Sequence, residues 1–188
     1  MGLWKRGKFV TYPEYRVLMH LLFAHFISEA PPRRLEYADT RLTSREQFDA
    51  LGADRKDFNY IVMEPRGAWQ WHMYNYKTSK SAGPVVVQLP SKIKRYLKRF
   101  GPIILAKNPE GWLFLTSKWR RMSRPTFSGF VKQFFAKYLS KKTWTMNTLR
   151  SVFVSSYYKN VPDNIQEVLM GHSIETALAH YKEPDKSS

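Results

Sequence analysis

Three segments in the C-terminal quarter of the chain carry groups suited to chemistry on a phosphate. Thr148-Leu149-Arg150-Ser151 places an arginine among apolar neighbours. Ile165-Gln166-Glu167-Val168-Leu169-Met170-Gly171-His172-Ser173 ends an apolar stretch in Gly-His, and Tyr181-Lys182 follows, with Tyr181 nine residues after His172. Two clusters lie upstream: Arg33-Arg34, with Glu36 three residues beyond Arg33, and Lys77 with Lys80. A guanidinium is planar and permanently charged, and it forks onto two oxygens of a phosphate. A phenol titrates near about 10 and becomes a nucleophile only when neighbours help it ionise. Taken one at a time, these residues have bland readings. Gly171-His172 can be a helix C-cap, Arg33-Arg34 a solvated pair, Lys77 and Lys80 surface lysines or phosphate anchors, and Tyr181 a packing residue. Arg150 differs, because an arginine among Leu149, Val152 and Phe153 needs a partner if it is buried.

Charge narrows the class of partner. The 188 residues hold 31 Lys+Arg against 15 Asp+Glu, a net charge of +16. Between Pro65 and Pro162 there are 19 Lys+Arg and one acid, Glu110. So one-sided a run repels itself unless a polyanion neutralises it, which points to nucleic acid. There is no cysteine, which excludes disulfides and thiolate metal sites. The five histidines (20, 25, 72, 172, 180) include no pair at helical i, i+4 spacing, so neither a metal nor another cofactor is expected. The longest apolar stretch, 17–27, is interrupted by His20 and His25 and falls short of the roughly 20 residues of a membrane span. No signal-peptide core follows Trp4-Lys5-Arg6, so secretion is not expected, and the chain should act in the cytoplasm or nucleus, wherever its nucleic-acid partner lies.

Together the segments resemble the closing signature of the tyrosine recombinases, the phage-type integrases. In that family an H-x-x-R box precedes a hydrophobic helix ending in Leu-Gly-His, and the nucleophilic tyrosine lies nine residues after that histidine. Here Met170 stands for the leucine, Gly171-His172 and Tyr181 match, and Arg150 is the arginine of the box. The family's first arginine, in an R-x-x-[ED] pattern after the opening helix, maps to Arg33, with Arg34 as the alternative. Its hairpin lysine maps to Lys77, with Lys80 as the alternative. The first position of the box departs from the pattern: Asn147 can donate to a phosphate oxygen but cannot carry a proton. The resemblance runs from about Tyr15 to Tyr181, in the family's order.

It implies a site-specific DNA recombinase of a virus or mobile element, with catalytic residues Tyr181, Arg33, Arg150, His172, Lys77 and Asn147. Tyr181 would attack a phosphodiester and form a 3′-phosphotyrosine. The arginines would stabilise the charge developing on the non-bridging oxygens. The lysine would protonate the departing 5′-hydroxyl. His172 would hold a phosphate oxygen or assist the tyrosine's proton transfer. Double-stranded DNA is the expected partner, with Arg34, Lys80, Lys118, Arg120, Arg121 and Arg124 on its backbone, and a homo-oligomer, a tetramer, the expected assembly on it. Two rivals remain. A type IB topoisomerase would keep the fold but relax supercoils, and a non-catalytic DNA-binding protein would keep only the basic surface.

The elements that must position these groups are legible in outline. Residues 1–12 read as a basic leader and 13–188 as the catalytic domain, with no room for the N-terminal DNA-binding domain usual in the family. Pro13-Glu14 opens a helix over 15–28, with Val17, Leu18, Leu21, Leu22, His25 and Phe26 as its stripe, and Pro31-Pro32 stops it. A second helix is expected to begin at 34–38. Strands are expected over 59–63, 68–76 and 84–90, with the Lys77–Gly83 turn between the last two. Helices follow over 91–100, 125–138, 147–158, 163–170 and 174–181. The phenylalanines of 127–135 read as core. The alternation of Trp69, Trp71, Tyr74 and Tyr76 reads as a sheet face. The expected fold is mostly α with a small antiparallel β-sheet (α+β), like the catalytic domain of a tyrosine recombinase.

Overall fold

The computed structural model describes residues 10–157. The helices expected over 163–170 and 174–181, and with them His172 and Tyr181, lie outside the described residues. Val10 is already buried, and helix α1 (Tyr12–Glu29) begins two residues later. A capping box sets its start: the Glu14 carboxylate accepts from the Thr11 backbone N–H at 2.9 Å, and Pro13 occupies the first turn. The buried face is Tyr15, Leu18, Met19, Leu22, Phe23 and Phe26. The stripe read from sequence was rotated: Val17 and Leu21 are exposed, and the larger rings of Tyr15 and Phe23 take the core side.

After Pro31-Pro32 the chain makes a single 3-10 turn (Glu36–Asp39) where a helix was expected, then enters β1 (Thr40–Ser44). Helix α2 (Arg45–Ala50) and a 3-10 turn (Gly52–Asp57) carry it across to β2 (Asn59–Met63), which pairs parallel with β1. β3 (Gln70–Met73) and β4 (Val85–Gln88) add antiparallel strands in the order β1-β2-β3-β4. The sheet is therefore mixed rather than wholly antiparallel. β1 went unread because Thr-Arg-Leu-Thr-Ser is short and polar, with little strand periodicity. Its free edge is covered by residues 111–115: the Leu42 N–H donates to the Gly111 carbonyl at 2.7 Å, and Leu113 donates to Thr40 at 3.2 Å. Only glycine fits at 111, where φ is +80° and a Cβ would lie 2.1 Å from the Leu42 oxygen.

One face of the sheet (Ile61, Trp71, Met73) packs on the main core, and the other (Tyr60, Val62) on Phe48 of α2. The connection between β3 and β4 holds the Lys77 turn and a short helix α3 (Ser79–Ala82). Helix α4 (Ser91–Lys107) then runs past Gly101-Pro102, where sequence ended it. Pro102 is exposed and costs about 3 kcal/mol inside a helix. The burial of Ile103 and Ile104 returns roughly 1.5–3 kcal/mol each, so the helix continues. Helix α5 (Arg124–Leu139) is capped by Ser123 and buries Phe127, Phe130, Phe134 and Phe135 against Phe23 and Phe114, the core role expected of them. Helix α6 (Met146–Tyr157) carries Asn147 and Arg150. Mostly helical with one small sheet, the architecture matches the expected class.

Candidate active site

The site begins at the break after α1. Pro31-Pro32 forces extended backbone, and Arg33 follows with its N–H donated to the Tyr37 hydroxyl at 2.9 Å. Tyr37 is fully buried among Phe23, Phe26, Trp71 and Phe127, so the core itself holds the backbone of Arg33. Burial pushes the Tyr37 phenol up to about 12, against the pull of Arg33. It is therefore a neutral structural donor and acceptor rather than a nucleophile.

Arg150 arrives from the far end of the chain. Its helix starts at a threonine cap, Thr145 Oγ1 accepting from the Thr148 N–H at 3.3 Å, and Arg150 lies one turn further in. Its side chain is wholly buried, and Nη1 donates to the Pro32 carbonyl at 2.9 Å. Arg33 and Arg150 thus converge on one segment although 117 positions separate them in sequence (150 − 33). Burial lowers the Arg33 pKa most. Glu36, Tyr37 and Tyr76 oppose that, while the like charge of Arg150 adds to it. Both guanidiniums stay charged at neutral pH. Glu36 is buried beside Arg33 with Oε2 lacking a hydrogen-bond partner. A guanidinium is a planar, fork-shaped cation of the kind that binds the oxygens of a phosphodiester.

The alternatives left open by sequence lie in different surroundings. Arg33 is buried beside Arg150, whereas Arg34 is only half-buried. Lys77 is exposed and directly follows Tyr76, whose ring is buried near Arg33 and whose hydroxyl donates to the Gly83 carbonyl at 2.5 Å. Lys80 is also exposed, on α3, and lines a hollow with Lys56, Asp57, Tyr74 and Asn75. Asn147 is exposed, three residues before buried Arg150 on the same side of α6. His172 and Tyr181 lie outside the described residues, so their distances to the arginines are not part of this geometry.

Of the expected backbone contacts, Lys118 and Arg120 project into solvent. Arg121 and Arg124 instead meet Asp39: Arg124 Nε donates to Oδ2 at 2.6 Å and Arg121 Nη1 to Oδ1 at 3.2 Å. Arg124 also donates to the Asn75 side-chain oxygen at 3.0 Å. Sequence reasoning missed Asp39, Tyr37 and Asn59. Asn59 is completely buried and bonds both the Glu36 carbonyl and the turn before Tyr76. The one available signal was an asparagine opening an otherwise apolar strand.

Comparison with known proteins adds a family. A model described as the Phage integrase family matches residues 62–188, which include Lys77, Asn147, Arg150, His172 and Tyr181. A crystal structure of XerA recombinase superposes with a TM-score of 0.54 at 13% identity, covering 94% of this chain and 58% of that one. The fold is shared, and the chain spans little more than half the length of that protein. No curated protein sequence matches this chain.

Proposed function

The chain belongs to the phage integrase family, and from that premise we propose that it is a site-specific DNA recombinase acting through Tyr181. The observation that carries the reading is the convergence of Arg33 and Arg150 on the Pro32-Arg33 segment, inside a fold shared with a recombinase. Two preplaced guanidiniums offer a non-reorganising cradle for the charge that builds on a phosphodiester's non-bridging oxygens. In this reading the Tyr181 phenolate attacks phosphorus and the bond to the 5′-oxygen breaks. Lys77 hands a proton to that oxygen, and Asn147 and His172 donate to the phosphate. The product is a 3′-phosphotyrosine that another strand's 5′-hydroxyl can reverse, so exchange needs no ATP and no metal step. The exposed Lys118 and Arg120 contact the DNA backbone. Assembly as a tetramer on DNA, and origin in a virus or mobile element, complete the proposal.

A covalent trap tests it. The substrate is a random-sequence duplex pool, nicked so that the short 5′-hydroxyl fragment diffuses away, and the readout is a protein–DNA adduct on a denaturing gel. We expect an adduct with the native chain and none with Tyr181→Phe. Tight DNA binding with no adduct would favour the binding-only reading, to which Asn147 in place of a proton-carrying histidine lends weight. Relaxation of supercoiled DNA without any need for two sites would favour a topoisomerase.

A further inference from the structure

We propose that Asn59 is a positioning residue that fixes the Lys77-bearing turn against the segment carrying Arg33 and Glu36. The proposal rests on the recombinase reading and deepens it. Asn59 is the first residue of β2, paired with Thr40 of β1 on one side and Met73 of β3 on the other. It sits where the arginine segment enters the sheet and the lysine turn leaves it.

Its side chain makes four hydrogen bonds, the full capacity of a carboxamide. Oδ1 accepts from the N–H groups of Tyr74 and Asn75, both at 2.9 Å. Nδ2 donates to the Asn75 carbonyl at 3.1 Å and to the Glu36 carbonyl at 3.3 Å. The first three bonds hold the chain two residues ahead of Lys77, and the fourth holds the turn that begins three residues after Arg33. Tyr76, between the anchored Asn75 and Lys77, is itself pinned to Gly83 and lies near Arg33. One buried amide therefore sets the register between the two elements on which the proposed general acid and the arginine cradle stand. A lysine side chain is long and flexible, so its reach to a leaving oxygen depends on where its backbone is held. Aspartate would keep the shape at position 59 but turn both donors into acceptors facing carbonyl oxygens.

The test compares two leaving groups, using the full chain and a duplex recovered from the adducts above. With an ordinary phosphodiester, the departing 5′-alkoxide needs the lysine's proton. With a bridging 5′-sulfur, a thiolate departs without one, because thiols ionise near about 8.5. We expect Asn59→Ala and Lys77→Ala to slow adduct formation on the oxygen substrate by tenfold or more. On the sulfur substrate both should return to within about threefold of the native rate. Asn59→Asp should behave as Asn59→Ala does and serves as the second variant if the alanine form does not fold, which a thermal unfolding curve decides. Asn59 variants slowed equally on both substrates, while Lys77→Ala is rescued, would overturn the proposal, since the loss would then lie in the arginines or the fold. Native rates on the oxygen substrate would also overturn it. A Lys77→Ala variant that is not rescued removes the lysine's proposed role and this inference with it. An inert native chain removes the recombinase reading itself.

Discussion

Arg150 Nη1 donates to the carbonyl of Pro32 at 2.9 Å, and that bond sets the guanidinium of one helix on the turn that presents Arg33. The arrangement is costly by itself, because the two like charges are buried close enough for Arg150 to lower the Arg33 pKa. Buried groups perturbed in this way cluster at functional sites. Arg150→Lys should expose the distinction between fold and function. Lysine keeps the charge but loses the planar fork. We expect adduct formation to fall by about a hundredfold or more, the loss typical of removing one preorganised donor. The urea-unfolding free energy should change by only about 1–3 kcal/mol, the cost of leaving a buried acceptor such as the Pro32 carbonyl unsatisfied. Activity that falls only in step with the folded fraction would contradict the assignment.

Asp39 raises a separate question about how the basic surface is used. Its side chain is buried to 8% exposure and holds Arg121 and Arg124, while Lys118 and Arg120 nearby are exposed and have no acidic partner among the described residues. Releasing the two arginines should free two cations for DNA phosphates. The salt dependence of binding to random duplex DNA reads this directly, since each phosphate contact adds about 0.9 to the log–log slope. Asp39→Ala should therefore steepen the slope by up to about 2. An unchanged slope would mean that Arg121 and Arg124 already reach the backbone while bonded to Asp39, or never reach it.

How much of this was legible in the sequence follows from the kind of signal each element carries. Strand β2 was read to the residue because Asn-Tyr-Ile-Val-Met is a short apolar run between breakers, and α5 because its phenylalanines recur with helical spacing. β1 was missed because its residues are polar and its place depends on a parallel partner that no local pattern reveals. The end of α4 was misplaced because Pro102 is a strong local breaker, overridden only by the burial of Ile103 and Ile104. The site shows the same division. Arg33 and Arg150 could be named from motif spacing, but that Arg33 is buried while Arg34 is half-buried depends on how the core closes over the segment, which spacing does not show. Asp39 and Asn59 act through partners from 15 to 85 residues away, and such long-range polar pairing leaves no periodic trace.

His20 supplies a pH dependence that has nothing to do with the arginines. It lies in α1, stacked on Phe130 and edge-on to Tyr138, with Nδ1 3.2 Å from the Tyr138 hydroxyl and Nε2 buried without a partner. Burial lowers its pKa to about 4, and the nearby charges of Arg16 and Lys137 push the same way. The folded chain thus holds a neutral imidazole where the unfolded chain, titrating near about 6.5, takes up a proton. Between those two values the unfolded state binds more protons, so the group's contribution is intact above about 6.5 and is lost as pH falls toward 4. At about 1.36 kcal/mol per unit, the full effect is on the order of 3 kcal/mol. His20→Leu removes the titration, fills much of the same space and lacks the bond to Tyr138. Its melting temperature should lie closest to, or above, that of the native chain at pH 4.5, and compare least favourably at pH 7.5. Parallel pH profiles for the two chains would show that His20 is accessible enough to protonate equally in both states.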